Sequence, residues 1–120
     1  MQKTVEQQME AIMAEYGEEV KEVTEKSIAK VTRKAVQKLK SSSPRRTGDY
    51  AGGWGSKRLG DMSTVVYNRK APGLTHLLEN GHMIVNKYGV YGRTNGIKHI
   101  APVEEWAGDE LVRTIKRGLL

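Results

Sequence analysis

The feature that most constrains this chain is helical periodicity sustained over its first forty residues and then stopped by Ser41-Ser42-Ser43-Pro44. Apolar side chains fall at Val5, Met9, Ile12, Tyr16, Val20, Val23, Ile28, Val31, Ala35 and Leu39, mostly three or four residues apart. That spacing draws one stripe down one face of a helix, and the intervening Glu, Lys, Gln, Ala and Met are strong helix formers. Residues 1–40 are therefore expected as one long helix. Its weak point is Gly17, which costs about 1 kcal/mol relative to Ala in a helix interior and is the natural place for a kink or break. Pro44 ends the pattern, because it cannot extend the ladder and it biases its predecessor towards extended geometry.

Beyond Pro44 the period changes. Gly48, Gly52, Gly53, Gly55 and Gly60 punctuate two stretches with strand character, residues 50–59 and 64–68, with Gly60-Asp61 where a hairpin turn belongs. Pro72-Gly73 makes a further turn. Leu74, Leu77 and Leu78 then give one face of a short helix, with the two adjacent leucines inward and a stop at Asn80-Gly81. Residues 82–98 alternate poorly and contain Gly89, Gly92 and Gly96, which fits either a loose hairpin or a mobile loop. A final helix is expected over 102–118, starting on Pro102, with Glu104 and Glu105 in its first turn and Arg113, Lys116 and Arg117 in its last, matching the dipole at both ends. The expected fold is α+β: a long N-terminal helix, a small antiparallel sheet, a short middle helix and a C-terminal helix, all in one domain over residues 1–120. Within it, residues 44–101 hold the sheet, the short helix and the variable loop.

A chain of 120 residues suits a single core. With 38% apolar residues, 6% aromatics and no Phe, that core is thin, which favours a subunit that buries surface in partners. The absence of Cys excludes disulfide scaffolds, thiolate catalysis and Cys-ligated zinc. The acidic, amphipathic N-terminus resembles neither a signal peptide nor a membrane span, so a soluble protein is expected.

The net charge of +6 is unevenly distributed. Residues 1–25 carry seven Glu and two Lys, whereas residues 26–58 carry ten Lys or Arg and one Asp. Arg33, Lys34, Lys38, Lys40, Arg45, Arg46, Lys57 and Arg58 therefore form the candidate contact surface for DNA in a channel or for an acidic neighbouring ring. The plainer alternative is a solvated basic helix end that complements its own dipole. No aromatic residue interleaves the block running from Arg33 to Arg46, which argues against single-strand stacking recognition.

Little else in the chain suggests chemistry. His76, Glu79, His82 and His99 have metal-ligand side chains, but Asn80-Gly81 interrupts the helix that would have to present His82, and the zinc-protease spacing is absent. Gly52-Gly53-x-Gly55 lacks the Lys and Ser or Thr of a phosphate loop, and there is no Gly-x-Ser-x-Gly elbow. Asp49 and Asp61 have no acidic neighbour for paired-carboxylate chemistry, and Trp54 and Trp106 read as core or interface anchors. No enzyme and no cofactor is expected.

One resemblance goes further. Ser43-Pro44-Arg45-Arg46-Thr47-Gly48-Asp49-Tyr50, Gly53-Trp54, Val66-Tyr67-Asn68, the stretch from Leu74 to His82, and His99-Ile100-Ala101-Pro102, in that order between two helices, resemble the gp-ten-like family of tailed-bacteriophage tail components, named for a member in a Hong Kong phage. The likeness spans about residues 40–118. It implies a structural virion protein of the neck or tail, made in the bacterial host cytoplasm, that joins head to tail as a homo-oligomeric ring. The partners it implies are other neck and tail proteins and, in the channel, DNA, with no membrane. It assigns structural rather than catalytic roles to Pro44, Thr47, Gly48, Trp54, Asn68, His76, Leu77, Glu79, Gly81, His82, His99 and Pro102. The alternative is a small basic nucleic-acid-binding protein, which the charge block alone would allow.

Overall fold

The structure, a computed structural model, describes residues 4–120 apart from Arg46, with nothing stated of the side chains of Met13, Val85, Asn86 and Tyr91. Helix α1 spans Val5–Ser42. Thr4 caps it in a reciprocal box: the Gln7 amide donates to the Thr4 hydroxyl at 3.2 Å, and the Thr4 amide donates to the Gln7 side chain at 3.0 Å. At the far end Ser43 is extended and donates its amide to Leu39, so the helix stops where Pro44 requires. There is no break at Gly17. Its flanks are strong helix formers, and a cost near 1 kcal/mol does not interrupt a helix this long.

The chain then turns through Gly48, whose φ of 89° lies in the left-handed region, into a single helical turn α2, Asp49–Gly52. The strand expected from Tyr50 therefore begins later, at β1, Trp54–Gly60, which pairs antiparallel with β2, Ser63–Asn68. The register places Trp54 opposite Asn68, Ser56 opposite Val66 and Arg58 opposite Thr64, with an irregularity before the turn. A 3-10 turn at Pro72–Leu74 leads into α3, Thr75–Asn80. Residues 82–98 contain a hairpin: β3, Met83–Asn86, pairs antiparallel with β4, Gly89–Arg93. Gly89 and Gly92 supply positive φ there, and the Thr94 amide closes the base on His82 O at 2.8 Å.

Helix α4 spans Ile100–Leu119 and runs back along α1. Val103 packs near Leu39 and Ala35, and at the other end a Cβ on Gly118 would meet Val23, which fixes the two helices as antiparallel. The core is small. Ala35, Leu39, Tyr50, Trp54 and Val103 are its buried centre, flanked by half-buried Val36, Val66, Ala71, Leu78, Ile100, Trp106 and Ala107.

The molecule is long and thin, 85 × 25 × 21 Å, with a radius of gyration of 21.5 Å. A compact globule of this length would have a radius of roughly 14 Å. The cause lies in α1, whose 38 residues reach about 57 Å, while α4 has only 20 residues with which to cover it. Residues 4–19 of α1 and its cap form an arm whose described side chains are all exposed.

Candidate functional site

The family-motif residues gather where the end of α1 meets α2, the sheet and the start of α4. Trp54 is buried against Tyr50 with ring centroids 5.6 Å apart, and its indole N–H donates to the Ser43 hydroxyl at 2.7 Å. Ser43 in turn donates to Leu39 O, so the serine that ends the helix also holds the first residue of the sheet. Asn68, only 2% exposed, donates to Tyr50 O at 2.7 Å and accepts from the amides of Lys70 and Ala71 at 3.1 and 2.9 Å. It thereby ties α2 to the end of β2. Thr47 accepts from the Asp49 amide at 3.4 Å, a weak start to the same turn.

Glu79 carries the largest responsibility. Helix α4 begins with four amide positions that have no partner inside the helix, at residues 99 to 102. Glu79 Oε1 accepts from the His99 and Ile100 amides at 2.7 and 2.8 Å, and Oε2 accepts from the Ala101 amide at 2.9 Å. Pro102 has no amide hydrogen, so every orphan donor is accounted for. The carboxylate also places negative charge at the positive end of the helix dipole. Burial pushes the Glu79 carboxyl up, but the three amides and His99 outweigh burial, and its pKa lies below the usual value of 4.5.

This arrangement corrects two expectations about α4. The helix starts at Ile100, with Pro102 in its first turn rather than at its first position. Glu104 and Glu105 lie beyond that first turn, so the dipole is met by Glu79 from another element.

His99, 1% exposed, completes the group. Its Nδ1 faces Ile97 O at 2.6 Å and Glu79 Oε1 at 3.0 Å, both acceptors, so Nδ1 carries a hydrogen. Nε2 lies 2.6 Å from Tyr50 Oη, within hydrogen-bond distance. Burial, followed by the negative charge of Glu79, pushes the Tyr50 hydroxyl up to about 12, which keeps it a phenol. Among the described residues no buried side-chain nitrogen or oxygen lacks a partner. The group therefore holds elements in place and presents no unspent polar atom to solvent.

The other motif residues are scattered. Gly81 takes a φ of 78° and ψ of 174°, and a Cβ there would strike Thr94 O, so the backbone passes where only glycine fits. His82 is exposed and pins the base of the β3–β4 hairpin: its amide donates to Thr94 Oγ1 at 3.0 Å, and its Nδ1 lies 3.0 Å from the same hydroxyl. His76 is exposed on α3. Leu77, expected inward, is 41% exposed; α3 is a helix of only six residues and turns Leu78 and Glu79 to the core instead. Pro44 is half-buried. Among the described residues no cluster of three or more His, Asp or Glu is placed to hold a metal ion, and no helix is long and apolar enough to cross a membrane.

The basic residues do not form one strip. Arg33 and Arg58 line the same hollow between α1 and the sheet, together with Ser56, Thr64, Glu25 and Asp61. Lys38 lies on another side, its ammonium 4.5 Å from the Trp106 ring centre. Lys34 is one helical turn from Lys38, while Lys40 is two turns from Arg33. Arg45 donates to Lys40 O at 3.1 Å and so helps close the end of α1. Lys57 is exposed on β1, and Arg46 lies outside the described residues. Ser43 and Tyr50 stand in the motif string without an assigned role, and sequence reasoning missed Arg69, which stacks over Tyr67 with its guanidinium carbon 5.5 Å from the ring centre.

Comparison with known protein families gives a match. The family model described as "Bacteriophage HK97-gp10, putative tail-component" matches residues 3–81, which is well over half of the chain. The match takes in α1, the β1–β2 hairpin and α3 with Glu79, and stops before His99-Ile100-Ala101-Pro102, so it is shifted towards the N-terminus from the likeness drawn from the motifs. No curated protein and no solved structure matches the chain.

Proposed function

The chain belongs to the HK97-gp10-like family of bacteriophage tail components, and from that premise we propose that it is a structural, non-enzymatic protein of the virion neck. In this reading it completes the tail or joins head to tail as a ring of identical copies. It is made in the host cytoplasm and assembled with other neck and tail proteins.

The observation that carries this reading is the family match over α1, the sheet and α3. The shape supports it. A chain whose radius of gyration is 21.5 Å, against roughly 14 Å for a compact fold, leaves apolar surface that only partners can cover. The division of charge between an acidic arm and a basic remainder supports repeated contacts between copies. The exposed cations Arg33, Lys34, Lys38, Arg45, Lys57 and Arg58 serve either DNA in the channel or an acidic ring above or below.

The test is to assemble particles with and without the chain. Tails that fail to join filled heads in its absence, and that join when it is restored, support the reading. Complete, infectious particles lacking the chain would overturn it.

A further inference from the structure

The two flanks of α1 hold their cations in different company. On the flank facing the sheet, Arg33 and Arg58 share a hollow with Glu25 and Asp61, and Arg58 is paired to Asp61 at 3.2 Å. Charge there is matched within the fold.

The other flank runs along α4, and two hollows open on it that no sheet residue lines. The first, of about 360 Å³, has Lys26, Lys30 and Arg117 among its lining, and the second, of about 300 Å³, has Lys38 and Lys98 beside the buried His99. No Asp or Glu lines either one. Lys34 falls between them, four residues from Lys30 and four from Lys38, so three lysines climb one side of α1 in steps of about 6 Å.

The acids nearest this seam are spent or sit outside it. Glu22 pairs with Lys26 at 2.8 Å, and Glu110 pairs with Arg113 and Arg117 at 3.2 and 3.0 Å. Glu105 and Asp109 are exposed on α4 and line neither hollow. Among the described residues, Lys30, Lys34, Lys38 and Lys98 make no ion pair. Two of the four are nevertheless held in place: Lys38 lies 4.5 Å from the Trp106 ring centre, and Lys98 donates to Asn80 Oδ1 at 2.6 Å. Four uncompensated cations along one seam make it a surface for a polyanion.

The lining selects which polyanion. None of the exposed large hydrophobic side chains borders either hollow. A protein partner needs an apolar centre to its interface, whereas nucleic-acid interfaces are polar and strongly positive, with most of their hydrogen bonds made to phosphate and sugar. No exposed aromatic ring borders the hollows for a base to stack on, which favours a duplex over a single strand.

Resting on the reading of the chain as a neck subunit, where DNA passes, we propose that the α1–α4 seam binds the phosphate backbone of duplex DNA through Lys30, Lys34, Lys38 and Lys98, without reading its sequence. The basic block of the sequence thereby divides. Lys34 and Lys38 serve DNA, while Arg33 and Arg58 serve the fold.

Fluorescence anisotropy of labelled duplexes mixed with the full-length chain tests this. Four phosphate contacts give a log-log salt slope of about −3.6, the same for unrelated sequences. Lys30→Gln combined with Lys34→Gln, both at exposed helix positions, should bring the slope to about −1.8 and weaken binding at low salt by about tenfold or more. Arg33→Gln combined with Arg58→Gln should leave the slope unchanged, and circular dichroism checks that both double variants keep their helices. No binding at low salt, or equal losses from the two double variants, would overturn the proposal. So would a polyglutamate of matched charge that binds as tightly as the duplex, which would assign the seam to an acidic protein. The neck reading fails separately: a chain that binds duplex DNA as described but is missing from assembled particles sinks that reading alone, and a chain present in particles that ignores DNA sinks the seam alone.

Discussion

Replacing Glu79 with Gln removes one charge and little volume, which makes it the sharpest test of how the fold is held together. In the native protein one carboxylate satisfies three amides at 2.7, 2.8 and 2.9 Å. Gln presents one oxygen and one NH2. The oxygen can still accept from His99 and Ile100, but as a neutral acceptor, and hydrogen bonds to charged groups contribute about 1 kcal/mol more than neutral ones. The NH2 group faces the Ala101 amide, donor against donor, and an unmet buried donor costs about 1–3 kcal/mol. Together these losses come to about 3–5 kcal/mol, a large share of the roughly 5–15 kcal/mol that holds a typical domain. Urea denaturation followed by circular dichroism measures the difference.

The dependence on pH has a definite sign. Because the folded Glu79 pKa lies below its ordinary 4.5, its contribution is fully present above that ordinary value and is lost as pH falls through the folded pKa. The wild-type chain should therefore lose its advantage over Glu79→Gln below about pH 4.5. A stability difference under 1 kcal/mol at pH 7, or one that does not shrink in acid, would refute this account of the α4 cap.

Three further outcomes follow from the packing. Gly81→Ala should cost about 3 kcal/mol or more, because the backbone there is in a region reserved for glycine and the new methyl meets Thr94 O; denaturation midpoints measure it. Trp54→Phe and Ser43→Ala should each cost about 2 kcal/mol, with the double variant losing less than the sum because both break the same hydrogen bond. Gly17→Ala should raise stability by about 0.5–1 kcal/mol, since the helix is continuous there and an added Cβ meets nothing within 4 Å, and thermal melting checks the sign.

The elements set by periodicity and breakers were legible in the sequence: α1 to its stop at Pro44, the β1–β2 hairpin, and the short helix that ends on Gly81. The misreadings share a cause. Tyr50 has a strand-compatible side chain, yet a left-handed Gly48 and the hold of Asn68 on Tyr50 O fold it into a helical turn. Glu79 belonged to an apparent His-x-x-Glu-x-x-His string, but its partners are backbone amides twenty residues away, which no local pattern encodes. One signal for it was available: an α4 start with His99 in the cap position and a proline soon after has no good local acceptor and needs one from elsewhere. The stripe from Val5 to Leu39 likewise reads as one face, and periodicity does not say that α4 covers only its later part and leaves Val5, Met9, Ile12 and Tyr16 exposed.

The central claim is that this chain is a repeated structural subunit at the junction of head and tail. Cryo-electron microscopy of particles assembled with it tests that claim most directly. The account predicts a ring of density at the neck into which this elongated fold fits. Density for the chain elsewhere in the particle, or none at all, would contradict it.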